Sequence, residues 1–218
     1  ITAAMFEALS GGLSANETIT FRADISDNAG NFTTGTVTSG AITFDETAPT
    51  LSGVSIASSN STTTLAKPGD DITLTFTASE TIATPVVTFQ SGSAAITDNT
   101  IVYQNTSGNT WTAVYTANAS DTDGAVTFSI AFSDSAGNAG TAVTSGTGSV
   151  TVDTTAPTVL DVSSTAVNGT YKIADVIPIT VQFDESVIVD TTSGFPSILL
   201  ETGTIDGGAI YDSGSGSS

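Results

Sequence analysis

The side chains of this sequence that could do chemistry are almost all carboxylates. The chain has 22 Asp and Glu residues against 3 Lys and Arg, with no His and no Cys, and its formal net charge is −19. Without His and Cys, the commonest general base and the usual zinc ligands are missing. A surface of this charge attracts cations, and calcium is a hard cation that binds oxygen ligands. The alternatives are that the acids serve solubility or cap turns, and composition leaves these interpretations open.

Eight carboxylates lie where a fold could gather them into calcium sites. Calcium takes roughly six to eight oxygen ligands, so three or four acids can hold it together with loop carbonyls and water. The candidates fall far apart in the sequence and can meet only at the ends of strands or in linkers. They are Asp45, Glu46, Glu80, Asp121, Asp123, Asp134, Asp153 and Glu185.

The sequence repeats itself at nearly fixed offsets. The run ISDNAGNFTTGTVTSGAITFDETAPT from Ile25 returns as FSDSAGNAGTAVTSGTGSVTVDTTAPT from Phe132, with offsets of 107 to 108. A second run, KPGDDITLTFTASE from Lys67, returns as KIADVIPITVQFDE from Lys172, with an offset of 105. Such a recurrence predicts tandem domains. These are the end of a first repeat (1–46), one complete repeat (47–153) and the start of a third (154–218).

Alternating apolar residues predict β-strands throughout. In the complete repeat, Ile72, Leu74 and Phe76 fall on one face of a strand, as expected for a half-buried sheet. The first repeat has a similar strand at 18–25, with Ile25 predicted to face inward. The strands predicted for the complete repeat lie at 51–57, 71–78, 85–90, one or two within 94–104, 111–116, 125–132 and 141–152. The third repeat has strands predicted at 170–185 and 197–200.

About seven short strands with turns every 8 to 12 residues predict an all-β fold of tandem immunoglobulin-like antiparallel β-sandwiches. The disulfide of antibody domains is missing, since the chain lacks Cys. An eight-stranded jelly roll is the alternative.

The predicted topology gathers four acids at the pole of the sandwich where the chain enters. Glu80 follows the second strand and Asp134 follows the sixth. Loops after these strands lie at the same end of an immunoglobulin-like sandwich, next to the incoming linker. That linker carries Asp45 and Glu46, so we expect a calcium site there.

A second group is expected at the exit pole. Asp121 and Asp123 lie in the loop before the sixth strand, which should approach Asp153 at the start of the next linker. Asp184 and Glu185 of the following domain are expected to join them. No stretch matches the calcium loop of helical sensors or the Gly-rich nonapeptide repeat.

Four stretches resemble a known family. The run VDTTAPTV, the turn DSAGN, and YKIADVIPITVQFDES followed by YDSGSGS resemble the immunoglobulin-like tandem repeats of large microbial surface proteins. That group includes bacterial adhesins and prokaryotic surface-layer proteins. The resemblance implies an extracellular or cell-surface location and domains stacked end to end, often with calcium between them. It also implies neighbouring repeats and copies of the same protein as partners.

The function predicted from these features is structural and non-catalytic. The chain would be a rigid spacer or building block of a surface layer, a filament or a giant surface protein. The alternatives are an adhesive module and a virion or appendage fibre. An adhesive module requires an exposed aromatic or flat Thr-rich face, and none stands out in the sequence.

Catalysis, nucleic-acid binding and membrane insertion are not expected. The string Gly146-Thr147-Gly148 lies in a turn region without a helix, so it predicts neither a nucleophile elbow nor a phosphate loop. The net charge of −19 repels nucleic acid and anionic membranes. Residues 1–46 and 154–218 together amount to about one repeat. A head-to-tail polymer that completes both halves is therefore a further hypothesis.

Overall fold

The computed structural model describes residues 18–19, 23–35, 42–97, 100–202, 204 and 206–217. These residues form strands, turns and loops without any helix, which confirms the all-β prediction. The described part of the chain accordingly contains no helix that could span a membrane. The chain divides into two compact units, Ile1–Thr154 and Thr155–Ser218.

The described residues among the first 46 contribute four short strands to the first unit. β1 pairs with β4 and β2 pairs with β3, both antiparallel. Ile25 lies in the second of these strands and is 64% exposed, contrary to the predicted inward orientation. In the described residues, no second sheet covers it. The strands are Thr18–Ile19 (β1), Ala23–Ser26 (β2), Phe32–Gly35 (β3) and Ile42–Thr43 (β4).

The complete repeat forms a sandwich of two sheets within the first unit. One sheet has the order β10-β11-β7-β5 and the other β6-β13-β12-β8-β9. All neighbours are antiparallel except β6 and β13, which run parallel. The strands are Leu51–Ser58 (β5), Leu65–Ala66 (β6), Asp71–Ala78 (β7), Val86–Ser91 (β8), Ala94–Ala95 (β9), Val102–Ser107 (β10), Thr110–Thr116 (β11), Gly124–Ala131 (β12) and Thr151–Val152 (β13).

This strand order is that of an immunoglobulin-like sandwich and not of a jelly roll. With β5, β7, β8, β10, β11, β12 and β13 as strands A to G, one sheet contains A, B, E and D, and the other contains C, F and G. The predicted strands at 71–78, 111–116 and 125–132 coincide with β7, β11 and β12 to within one residue.

The core lies between the two sheets. Ile72, Leu74 and Phe76 of β7 are completely buried, because alternate side chains of a strand point to the same face. The facing sheet contributes Ile130 and Phe89, whose ring packs against Tyr115 of β11 with ring centroids 4.8 Å apart. Burial of these large apolar side chains is the main stabilising contribution.

The segment predicted as the last strand, 141–152, forms a regular strand only at its C-terminal end, in β13. Val143 pairs with Ile130, but Thr147 forms a parallel bridge with Ser55 of β5 on the other sheet. Regular pairing resumes at β13. The segment therefore makes contact with both sheets, which interrupts the ladder that the alternating sequence predicted.

The strands described in the second unit form two antiparallel pairs, β14 with β15 and β16 with β17. The strand predicted at 170–185 is confined to β15, whereas the one predicted at 197–200 coincides with β16. Many apolar side chains are exposed, such as Leu160 (61%) and Ile210 (73%). The strands are Val159–Ser163 (β14), Thr180–Phe183 (β15), Ser197–Leu200 (β16) and Gly207–Ile210 (β17).

Candidate cation site at Asp45, Glu80 and Asp134

Three carboxylates from distant parts of the first unit converge at one end of the sandwich. Asp45 follows β4 in the linker, Glu80 follows β7, and Asp134 follows β12. One carboxylate oxygen from each lies within 4.8 Å of the others, and we call this group the acidic triad. Asp134 is 3% exposed, and the other two are half-buried. Three carboxylates at this distance can hold a metal ion.

Asp134 is held in place by the turn that it begins. Its Oδ1 accepts hydrogen bonds from the backbone N–H groups of Gly137 at 2.7 Å and Asn138 at 2.8 Å. Its Oδ2 accepts one from the side-chain amide of Asn138 at 2.8 Å. Burial alone would raise the pKa of Asp134, but these bonds favour the charged form and together lower it. The carboxylate is therefore fixed and ionised.

The same turn fastens the linker to the sandwich. The side-chain amide of Asn138 donates a hydrogen bond to the backbone carbonyl of Asp45 at 3.0 Å. The Asp45 carboxylate in turn accepts a bond from the N–H of Thr47 at 2.9 Å. Pro49 is fully buried, and a Cβ on Gly140 would lie only 2.8 Å from its carbonyl oxygen. The linker is thus held at close range by the loop after β12.

The surroundings of Glu80 disfavour its negative charge. Desolvation raises its pKa above the ordinary value, and the negative charges of Asp45 and Asp134 raise it further. Like charges at this separation repel, and a bound cation reverses the sign of that interaction. The arrangement is therefore chemically suited to a hard, oxygen-preferring ion.

The first repeat contains the same turn. Asp27 Oδ1 accepts hydrogen bonds from the N–H groups of Ala29 and Asn31, each at 2.9 Å. Its Oδ2 accepts the side-chain amide of Asn31 at 2.7 Å. Asp27 and Asn31 are the repeat counterparts of Asp134 and Asn138. The two repeats therefore share the hydrogen bonds of this turn as well as its sequence.

The candidates at the other pole are engaged differently. Asp121 is buried, and its carboxylate accepts hydrogen bonds from the N–H groups of Thr97 at 2.8 Å and Asn118 at 2.9 Å. Asp123 Oδ1 accepts bonds from the N–H and Oγ1 of Thr154, both at 2.8 Å. With Asp153 these acids do not form a group as close as the triad. Asp121 and Asp123 therefore connect separate segments of the chain through hydrogen bonds.

Two further candidates lie outside the triad. Glu46 is exposed next to Asp45. Glu185 lies in the second unit and follows Asp184, whose carboxylate accepts hydrogen bonds from the N–H and Oγ1 of Thr158 at 2.8 and 2.6 Å. These bonds lower the pKa of Asp184. Asp184 therefore fixes the start of the second unit.

The sequence analysis did not identify Asn138 as part of the site. Its position in the repeated turn, equivalent to that of Asn31, was visible in the sequence. Its bond to the linker was not, because it joins residues 93 positions apart.

The sequence analysis also missed a threonine array on the outer face of the four-stranded sheet. Thr73, Thr75 and Thr77 of β7 point away from the core, beside Thr110 and Thr112 of β11. Thr77 and Thr110 share a hydrogen bond between their hydroxyls at 3.1 Å. Each strand shows its alternating threonines in the sequence, but that the two rows lie side by side depends on the pairing of β7 with β11.

A comparison of the chain with models of protein families, with curated proteins and with solved structures finds no match. The function is therefore argued from the geometry of the chain itself.

Proposed function

We propose that this chain is a structural, non-catalytic region of tandem β-sandwich repeats. In this proposal, calcium binding at the acidic triad stiffens the linker that enters the complete repeat. The repeats act as rigid spacers or building blocks of an extracellular surface layer, filament or surface protein.

The convergence of the acidic triad is the observation that carries this proposal. Asp45 belongs to the linker, whereas Glu80 and Asp134 belong to loops of the sandwich. An ion held by all three would join the linker to two loops at once. All the ligand atoms that the triad offers are carboxylate oxygens, which calcium binds well, and water can complete the coordination shell.

The existing contacts around the linker support a rigid connection. Pro49 is buried and Asn138 holds the Asp45 carbonyl, so the linker already has a defined path. Desolvation raises the pKa of Glu80, and the charges of Asp45 and Asp134 raise it further, so repulsion within the triad opposes this path. An ion that binds only the folded state would remove this repulsion and raise stability by mass action.

Thermal unfolding of the full chain with calcium, with magnesium and with excess chelator tests the proposal. The single Trp of the chain, Trp111, lies in the complete repeat and can report its unfolding. We expect calcium to raise the Tm well above the value in chelator, and magnesium to raise it less.

Two variants make this test specific. Glu80→Gln removes one ligand and one repelling charge, so we expect a higher Tm in chelator and little response to calcium. Glu46→Gln removes the same charge from an exposed neighbour outside the triad and should respond to calcium as the native chain does. An identical Tm in calcium and in chelator for the native chain would refute the calcium proposal.

Adhesion is a second candidate function, and the threonine array favours it. Rows of hydroxyls on the outer face of a sheet can form hydrogen bonds with a polysaccharide surface. Binding to immobilised polysaccharides should then be lost in a Thr75→Lys, Thr112→Lys variant. It should persist in Thr127→Lys, which changes an exposed residue on the opposite sheet. Equal binding by both variants would exclude the array as the binding face.

A further inference from the structure

The four-stranded sheet of the complete repeat has one long open edge. Its order is β10-β11-β7-β5, so β5 and β10 are its edge strands. The edge of β5 is occupied, because the N–H of Ile56 donates to the carbonyl of Thr147 at 3.0 Å and the N–H of Thr147 donates to that of Val54 at 2.8 Å. Among the described residues, no strand or isolated bridge pairs with β10 on the side away from β11.

The sequence of β10 does not protect this edge. An edge strand presents unpaired N–H and C=O groups to any second strand, and proteins commonly block it with short length, charge or Pro. The edges of the other sheet, β6 and β9, have two residues each, whereas β10 has six, VYQNTS. Its bulge lies between Asn105 and Ser107 and leaves residues 102–105 regular. Tyr103 Oη accepts the N–H of Val87 at 2.9 Å, so the strand is already held extended.

The region around β10 is uncharged in a strongly acidic chain. The net charge is −19, yet residues 100–120 contain no Asp, Glu, Lys or Arg. In the whole four-stranded sheet the one charged residue is Asp71, at the start of β7 and two strands away from β10. Copies of like charge repel least where no carboxylates face one another, whereas a basic partner would gain most from a surface that carries acids. The charges therefore favour a second copy of this chain as the partner of β10.

We propose that two copies of this chain pair antiparallel through β10, around a two-fold axis that is perpendicular to the sheet and passes close to Gln104. Main-chain hydrogen bonds hold the two strands together, as in other cases of strand addition to a sheet edge. The joined sheet has eight strands, four from each copy. A two-fold contact uses the same surface of both copies, so assembly through it stops at the dimer.

The two-fold axis brings the outer faces of both sheets to the same side. Gln104 pairs with Thr112 in the sheet, and directly opposite residues of neighbouring strands share a face. Gln104 of one copy therefore lies opposite Gln104 of the other, on the outer face. The threonine arrays of both copies then lie on one face of the joined sheet.

Sedimentation velocity of the full chain in excess chelator tests this proposal. We expect an equilibrium between monomer and dimer, which added salt shifts towards the dimer because it screens the repulsion between copies of charge −19. The chelator separates this association from the calcium proposal, on which it does not depend. A native chain that stays monomeric at about 100 µM, where even weak specific contacts are populated, would overturn the proposal.

A charge exchange at Gln104 makes the test specific to β10. Gln104→Glu and Gln104→Lys each place like charges opposite one another across the axis, which should raise the dissociation constant of the dimer roughly fivefold or more. An equimolar mixture of the two variants places opposite charges there and should restore dimers at least as stable as those of the native chain. Because Gln104 is exposed, the Trp111 unfolding transition should remain unchanged.

Two control variants separate the edge from other surfaces. Thr127→Lys adds a charge to an exposed position of β12 in the other sheet and should dimerise as the native chain does. Thr75→Lys adds one to the threonine array, two strands from the β10 edge, and should also dimerise. Loss of the dimer in Thr75→Lys but not in the Gln104 variants would assign the contact to the sheet face and overturn the proposal. So would a mixture of the Gln104 variants that fails to restore the dimer.

Discussion

Asn138 donates a hydrogen bond from its side-chain amide to the backbone carbonyl of Asp45, 93 residues earlier, at 3.0 Å. The same amide also donates to the carboxylate of Asp134 at 2.8 Å. One side chain therefore fixes both a loop carboxylate and the path of the incoming linker. This places Asp45 and Asp134 side by side and creates the geometry of the triad.

Replacement of Asn138 by Ala should destabilise the complete domain and loosen the linker. The variant loses both amide bonds and leaves the buried Asp134 with fewer donors. We expect the free energy of unfolding to fall by about 1–3 kcal/mol in urea titrations followed by Trp111 fluorescence. Hydrogen exchange at Thr47 should also become faster.

Asn105→Ala is the control for this change. Its amide donates one hydrogen bond to the carbonyl of Gly108 in an exposed hairpin, far from the linker in sequence. We expect a loss of about 0.5 kcal/mol and no change in exchange at Thr47. If both variants lost the same stability and left Thr47 unchanged, Asn138 would have no special role at the linker.

The stability of the domain in chelator should depend on Glu80 in a defined pH range. Because the raised pKa means that the folded state binds this proton more tightly, stability falls as pH rises from 4.5, the ordinary value, through the raised pKa. Asp134 acts oppositely. Its lowered pKa provides stability above 3.8, its ordinary value, and this is lost as pH falls through the lowered pKa.

Glu80→Gln should abolish the loss of stability above pH 4.5 and retain the loss at lower pH. Urea unfolding at a series of pH values in chelator measures both slopes. Glu46→Gln should keep the native profile. A Glu80→Gln profile parallel to that of the native chain would show that repulsion in the triad is unimportant for folding.

Local sequence pattern was sufficient for the strands of the sandwich but not for all their contacts. The strict alternation of Ile72, Leu74 and Phe76 fixed the bounds of β7, because nothing in that segment competes with regular pairing. The segment before β13 could not be predicted in this way. There the backbone of Thr147 forms hydrogen bonds with β5 of the other sheet and does not pair with β12. This contact depends on the distance between the two sheets, which a local sequence pattern does not specify.

The triad could be anticipated from loop positions, whereas the roles of other acids could not. Glu80 and Asp134 follow strands that end at the same pole, so topology alone brings them near Asp45. Asp121 lies in an equally suitable loop, but backbone N–H groups of Thr97 and Asn118 occupy its oxygens. Such local hydrogen bonds depend on the conformation of each turn and are not encoded in residue type.

Two tyrosines should respond oppositely to loss of the hydroxyl. Tyr103 Oη accepts a hydrogen bond from the N–H of the buried Val87 at 2.9 Å and so connects β10, the edge strand of one sheet, with β8 of the other. Tyr115 is 1% exposed, and its hydroxyl has no partner among the described residues. Burial also raises the pKa of Tyr115.

We expect Tyr103→Phe to lower the free energy of unfolding by about 1–2 kcal/mol, because Val87 loses its partner. Tyr115→Phe should be neutral or stabilising by at most about 1 kcal/mol, since an unsatisfied buried hydroxyl is removed. Urea unfolding of both variants gives the comparison. A larger loss for Tyr115→Phe than for Tyr103→Phe would contradict it.

Gly148 should be among the least replaceable residues of the domain. Its φ is +80°, and a Cβ there would lie 2.3 Å from the carbonyl oxygen of Ile56. Next to it, Thr147 donates to Val54 at 2.8 Å and accepts from Ile56 at 3.0 Å, so β5 cannot move away without breaking these bonds. Gly148→Ala should therefore lower the free energy of unfolding by more than about 3 kcal/mol, the sum of backbone strain and overpacking.

Gly108→Ala separates the two effects, because Gly108 has φ +54° but open space around its Cβ position. This variant should lower the free energy of unfolding by only about 1 kcal/mol. Equal losses for the two variants in urea unfolding would mean that the approach to β5 adds no constraint beyond the backbone conformation.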